Sequence, residues 1–116
     1  MFMKHVTIHT ARFEEEISFY TEEAGLRTVR EIHRPDRDIV FLANEEGQTE
    51  VEIIRDDEAL CSGTGYISIG FETENVDKKR EELLAKGFCP TPVVEAGGGA
   101  RFFFVEDPAG VRVQFI

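Results

Sequence analysis

The sequence predicts an α+β fold of two tandem βαβββ modules, one over about residues 1–58 and one over about 65–116, in a single domain spanning 1–116. Three observations predict it. The segment His5-Val6-Thr7-Ile8-His9 is matched by Tyr66-Ile67-Ser68-Ile69-Gly70, and both alternate polar and apolar residues with the period of two of a strand. Each is followed by an acidic amphipathic stretch that ends in glycine, and each glycine by three more strand-like runs. The offset between the halves is nearly constant, since His5 precedes Tyr66 by 61 positions and Glu52 precedes Gln114 by 62. A repeat of this length decides the architecture before any single element is assigned.

The elements follow in order. After the first strand, Phe13, Ile17, Tyr20 and Ala24 recur at helical spacing, with Gly25 placed to end the helix. Strands are expected over Leu26 to Ile32, Ile39 to Ala43 and Thr49 to Ile54, joined by Arg34-Pro35-Asp36 and Asn44-Glu45-Glu46-Gly47. A polar linker from Arg55 to Thr64 divides the halves near residue 60. In the second half Asn75 is placed to cap a helix whose thinner apolar stripe is Val76, Leu83 and Leu84, before Gly87. Strands are then expected over Cys89 to Val94, Arg101 to Val105 and Val111 to Ile116. Gly97-Gly98-Gly99 and Asp107-Pro108-Ala109-Gly110 supply the turns.

Composition excludes several functions. The formal net charge of −10 argues against nucleic acid and anionic membranes as partners, because both demand a basic face. It suits an acidic solvated surface or attraction of a cationic ligand. No apolar run approaches the roughly 20 residues of a membrane helix, and the N-terminus has no signal-peptide core. Cys61 and Cys89 have neither redox nor metal-type spacing and read as free thiols in a reducing compartment. These features predict a cytoplasmic protein. The run Ala96-Gly97-Gly98-Gly99-Ala100 lacks the Lys-Ser/Thr of a phosphate loop and leads into a strand, so it is read as a flap at a cavity mouth.

The residues that carry chemistry sit at equivalent places in the repeat. His5, Glu52, Tyr66 and Gln114 lie on the first and last strands of the two halves, in phase with one another and out of phase with the apolar residues. Each therefore points away from the helix-packed face, into the cavity that a curved sheet would form. Converging His and Glu side chains are competent ligands for Zn²⁺, Ni²⁺ or Fe²⁺. His9 shares the face of His5. Phe102 and Phe104 share one face of their strand, with Phe103 on the other, and Arg101 opens the same strand; these complete the expected ligand pocket. Arg30, His33, Arg34 and Arg37 gather around the first hairpin, either as a solvated turn or as a grip for a ligand carboxylate.

The spacing of these pieces resembles the vicinal oxygen chelate superfamily, which includes glyoxalase I, bleomycin and fosfomycin resistance proteins, and extradiol dioxygenases. The matching pieces are His5, Ile17-Ser18-Phe19-Tyr20, Gly25-Leu26, Val51-Glu52-Ile53-Ile54, Tyr66-Ile67-Ser68-Ile69 and Phe104-Val105-Glu106-Asp107-Pro108-Ala109-Gly110. They span essentially the whole chain and look closest to bacterial glyoxalase I. The resemblance implies a homodimer that binds a small molecule, and a divalent metal held by the residues at His5, Glu52, Tyr66 and Gln114. It also implies lactoylglutathione lyase-type isomerisation with a carboxylate as base, the role that falls here to Glu52. The glyoxalase I pattern has His where this chain has Tyr66 and Glu where it has Gln114. A glutamine amide cannot take a proton as a carboxylate does, and a tyrosine is a poor ligand near neutral pH because its ordinary pKa is about 10. The expectation is therefore a Zn²⁺, Ni²⁺, Mn²⁺ or Fe²⁺ ion held weakly or not at all, with His5 and Glu52 as its ligands. The alternative expectation is a metal-free, ligand-sequestering protein of the bleomycin-resistance type.

Overall fold

Alternation of apolar residues dictates two separate sheets, and the computed structural model describes them over residues 1–59 and 67–116. The chain divides into two compact units, Met1–Cys61 and Ser62–Ile116. Each contains one mixed four-stranded sheet, and the strand orders, β1-β4-β3-β2 and β5-β8-β7-β6, are the same order repeated. In both, the first strand lies parallel to the last while the remaining pairs are antiparallel.

The first unit runs β1 (His5–Thr10), α1 (Phe13–Ser18), β2 (Arg27–Arg34), β3 (Arg37–Ala43) and β4 (Glu50–Arg55). Arg34 pairs with Arg37, so Pro35 and Asp36 form a two-residue hairpin turn. The register aligns Ile8 with Ile53, Val40 with Ile53 and Leu42 with Val51, which gathers these five buried aliphatic residues on one face. The other face carries Thr7, Glu52, Phe41 and Arg30 in one row and His9, Ile54, Ile39 and Ile32 in the next. The helix departs from the simple stripe. After α1 it continues as a π-helical turn over Phe19–Glu23, and the wider winding brings Glu16 and Glu23 to buried positions beside Phe13, Phe19 and Tyr20. Gly25, at φ 72°, then reverses the chain in a conformation that suits a residue without Cβ.

The second unit runs β5 (Ser68–Phe71), α2 (Val76–Ala85), β6 (Val94–Glu95), β7 (Arg101–Glu106) and β8 (Arg112–Phe115). Asn75 caps α2 as expected, its side chain accepting from Lys78 N–H at 3.0 Å. Of the expected apolar stripe, Leu83 is fully buried while Leu84 is 45 % exposed. The buried face joins Phe103, Phe115, Val105 and Val113, and Phe115 packs on Phe103 at 5.5 Å and Phe71 at 6.1 Å between ring centroids. Lys79 of α2 lies over the Phe115 ring, so the helix covers this face. The expected strand over Cys89 to Val94 shrinks to Val94–Glu95, because Pro90 and Pro92 have no N–H for a ladder. Ahead of that short pairing, Thr91 ties the segment to β7, donating its N–H to Phe104 C=O at 2.8 Å and accepting Phe104 N–H on Oγ1 at 2.9 Å. Gly97–Gly99 form a single 3₁₀ turn between β6 and β7, closed by Ala96 N–H on Ala100 C=O.

Candidate functional site

Parallel pairing of β1 with β4 places Thr7 beside Glu52, with His5 one pleat away on the same face. The His5 Nε2 lies 3.2 Å from Glu52 Oε2; the imidazole is 41 % exposed and the carboxylate 12 %. Thr7 Oγ1 donates to the same Oε2 at 3.4 Å. Both neighbours therefore sit on one carboxylate oxygen, and among the described residues no donor engages Oε1. His9, further along the face, pairs with Asp56, its Nδ1 3.7 Å from Oδ2. The sequence thus placed His5, His9 and Glu52 together on one face of the first unit, and they are found there.

Next to this dyad lies a pair that the sequence pattern did not single out. Glu50, buried to 3 % exposure, receives Arg30 Nε at 3.1 Å and a terminal guanidinium N–H at 3.0 Å, one on each oxygen. The Arg30 guanidinium is stacked 3.7 Å from the Phe41 ring centroid. These charge-assisted bonds hold the Glu50 carboxyl below its ordinary range, with the charges of Arg30, Lys4 and His5 adding to them. Arg30 therefore grips the protein's own carboxylate. The other members of the expected hairpin cluster do not join it: His33 pairs with Asp38 and Glu31, while Arg34 and Arg37 are exposed. What hid the Arg30–Glu50 pair is that alternation alone marks Glu50 as a polar strand residue; only burial reveals its role.

In the second unit the row facing away from α2 holds Gly70, Gln114 and Phe104, with Ser68, Arg112 and Glu106 beside it. Gln114 Oε1 occupies the space above Gly70, 3.3 Å from where a Cβ would stand. Phe102 and Phe104 meet edge to face at 5.6 Å, and the Arg112 guanidinium lies 3.9 Å over Phe104. Arg101 is placed differently from the pocket position expected of it. It shares the phase of Phe103 and Val105, and Asp77 of α2 takes two of its N–H groups at 2.7 and 3.0 Å, with Glu95 3.3 Å from its Nε. Strand alternation explains the difference, because an odd-numbered residue of β7 points to the helix side. Tyr66 and Cys61 lie outside the described residues, while Cys89 is an exposed free thiol.

Metal coordination can be tested on this geometry. Two ligands about 2.1 Å from a tetrahedral ion stand about 3.4 Å apart, close to the observed His5–Glu52 separation of 3.2 Å. Those two positions fit. A third is missing: among the described residues no group of three His, Cys, Asp or Glu side chains is placed to hold an ion, whereas catalytic zinc sites supply three protein ligands. The described residues therefore fall short of a metal centre.

Comparison with known proteins agrees with this architecture. Residues 3–115 match the family model of the Glyoxalase/Bleomycin resistance protein/Dioxygenase superfamily. The chain is 28 % identical to a lactoylglutathione lyase of Haemophilus influenzae, over 97 % of this chain and 89 % of that protein. It is 30 % identical to a lactoylglutathione lyase of Arabidopsis thaliana, again over 97 % of this chain but 42 % of the plant protein, so it spans less than half of that relative. Among solved structures, glyoxalase I of Leishmania major superposes with a TM-score of 0.81 at 23 % identity, covering all of this chain and 86 % of that one. An E144Q variant of glyoxalase I from Zea mays superposes with a TM-score of 0.83 at 25 % identity, covering 99 % of this chain and 44 % of that one.

Proposed function

The chain belongs to the glyoxalase/bleomycin resistance protein/dioxygenase superfamily, and on that premise we propose that it binds a small oxygenated molecule and isomerises it as a lactoylglutathione lyase does, with Glu52 moving the proton. The observation that carries this reading is the His5–Glu52 contact on the face of the first sheet turned away from its aliphatic core. His5 and Thr7 both occupy Oε2, which fixes the carboxylate and leaves Oε1 to approach a substrate carbon. In such a reaction a proton leaves the carbon bearing hydroxyl and sulfur, giving an enediolate, and returns to the neighbouring carbon to leave a thioester. Glu52 takes and returns that proton, and His5 orients it. A divalent ion added to the protein is expected to bind weakly at His5 and Glu52, since two donors converge there among the described residues.

The test is thioester formation from methylglyoxal and glutathione, with and without added Zn²⁺, Ni²⁺, Mn²⁺ or Fe²⁺. Slow turnover is expected, and Glu52→Gln should lower it by roughly a hundredfold or more, the range set by loss of a general base. Turnover that survives Glu52→Gln would remove Glu52 from the role.

The donor set, which among the described residues stops at His5 and Glu52, and the net charge of −10 favour a second reading, ligand sequestration of the bleomycin-resistance type. Absence of turnover under every metal, together with calorimetric binding of bleomycin, would decide for it.

A further inference from the structure

The two units present the same stacked guanidinium, but only one of them supplies it with a carboxylate. In the first unit Phe41 pairs across the sheet with Glu52; in the second, Phe104 pairs with Gln114. Each ring carries an arginine, Arg30 at 3.7 Å and Arg112 at 3.9 Å from the ring centroid. Stacking occupies the face of a guanidinium and leaves its edge of N–H donors unused. In the first unit both oxygens of Glu50 bind that edge. Glu50 stands two residues before Glu52, and the residue two before Gln114 is Arg112 itself. The second unit has thus replaced the carboxylate with the cation, and among the described residues no acceptor takes a hydrogen bond from Arg112. Its cross-strand neighbour Glu106 is exposed and forms no ion pair with it.

We propose that Arg112, stacked on Phe104, is a binding site for the carboxylate of a small planar monocarboxylate, whose apolar part lies against Phe102. The reading stands on the second unit alone and goes beyond the isomerase assignment, because binding is measured without turnover. Arg112 is partly buried, so its donors are held beside the apolar Phe104 ring, where a charge-assisted bond is stronger than in open water. Gln114, lodged above Gly70, offers amide N–H groups on the same face. The net charge of −10 works against indiscriminate anion binding, so a carboxylate that does bind reports a local site.

The experiment is a titration of the ¹⁵N-labelled full chain with benzoate, followed by NMR, with neutral benzamide as control. Benzoate should bind with a Kd on the order of 1 mM, as suits a ligand of its size, and should shift the Arg112 Nε–H, the Gln114 side-chain amide and the Gly70 amide. Benzamide should not. Arg112→Lys keeps the charge and loses the planar fork, and should weaken benzoate about tenfold. A second variant tests the repeat logic: Glu50→Ala frees Arg30 and should create a second benzoate site, reported by the Arg30 Nε–H. If Glu50→Ala fails to fold, the Arg112→Lys result decides alone. Benzoate affinity unchanged in Arg112→Lys, or equal shifts from benzamide, would overturn the proposal. So would binding that appears only in Glu106→Gln, because it would give the guanidinium to the protein's own carboxylate.

Discussion

His33 shows how a residue that looks like part of a solvated turn gains a definite electrostatic state. Its Nδ1 lies 2.9 Å from Asp38, and Arg55 reaches the other Asp38 oxygen at 3.0 Å while also contacting Glu14 and stacking over Phe13. The Asp38 hydrogen bond raises the His33 pKa above its ordinary 6.5, with Glu31 adding to it. His33 and Arg55 lower that of Asp38 below 3.8. The sign follows for each group. The His33 contribution to stability is complete below pH 6.5 and is lost as pH rises through the raised value; that of Asp38 is complete above 3.8 and fades as pH falls through the lowered one. An NMR titration should place the His33 midpoint above 6.5, and Asp38→Asn should bring it down. A midpoint that ignores Asp38→Asn would show that the contact does not persist in solution. At this scale the sequence was only partly readable. His5 and Glu52 followed from alternation, whereas Glu16, Glu23 and Glu50 are buried acids, which alternation and helical spacing treat as surface.

Elements were more legible than residues, because period and punctuation are properties of a whole segment. The strand sites β1, β3, β4, β7 and β8 fall where alternation put them, and the glycines after both helical stretches adopt positive φ. Two elements departed for reasons that alternation cannot carry. The π-helical turn reassigns the buried face of the first helix, and Pro90 and Pro92 cut an expected strand to two residues. Helix α2 depends on its ends more than on its face, since Leu83 is the one residue it buries. Asn75→Ala should therefore cost about 1 kcal/mol, the usual worth of such a cap, measured by denaturant unfolding. Asn75→Asp, which keeps the acceptor, should cost little. Equal losses in both variants would mean that the Asn75–Lys78 bond does not cap the helix.

At the scale of the molecule, the internal repeat was the most informative feature of the sequence, since one observation set the order of eight strands. The chemistry was harder to read because the halves differ in the side chains that carry it, Glu52 standing against Gln114 and Glu50 against Arg112. Such changes leave the strand alternation intact while altering what each sheet presents. Several large apolar side chains stay exposed within the chain, among them Phe2 at 62 %, Met3 at 64 % and Ile67 at 63 %. We propose a homodimer, in which a second copy would cover such surface. Sedimentation at micromolar concentration should give twice the 13.2 kDa mass of one chain. A single-chain mass there would remove the dimer.

Pairing the first strand of each half with its last has a consequence for the rate at which the chain acquires its structure. β1 meets β4, and β5 meets β8, only after about 45 intervening residues have been brought into register, a closure that costs about 3 kcal/mol in either half. With the topological barrier equal, the order of events falls to local contacts, and these are unequal: β2 and β3 form a hairpin of eight and seven residues, whereas β6 has two. Early contacts between neighbours in sequence speed folding. During refolding, the amides of Val51 and Ile53 should therefore gain protection from hydrogen exchange before those of Val113 and Phe115. Simultaneous protection would show instead that the halves fold as one cooperative unit, with neither able to hold its last strand until the other has formed.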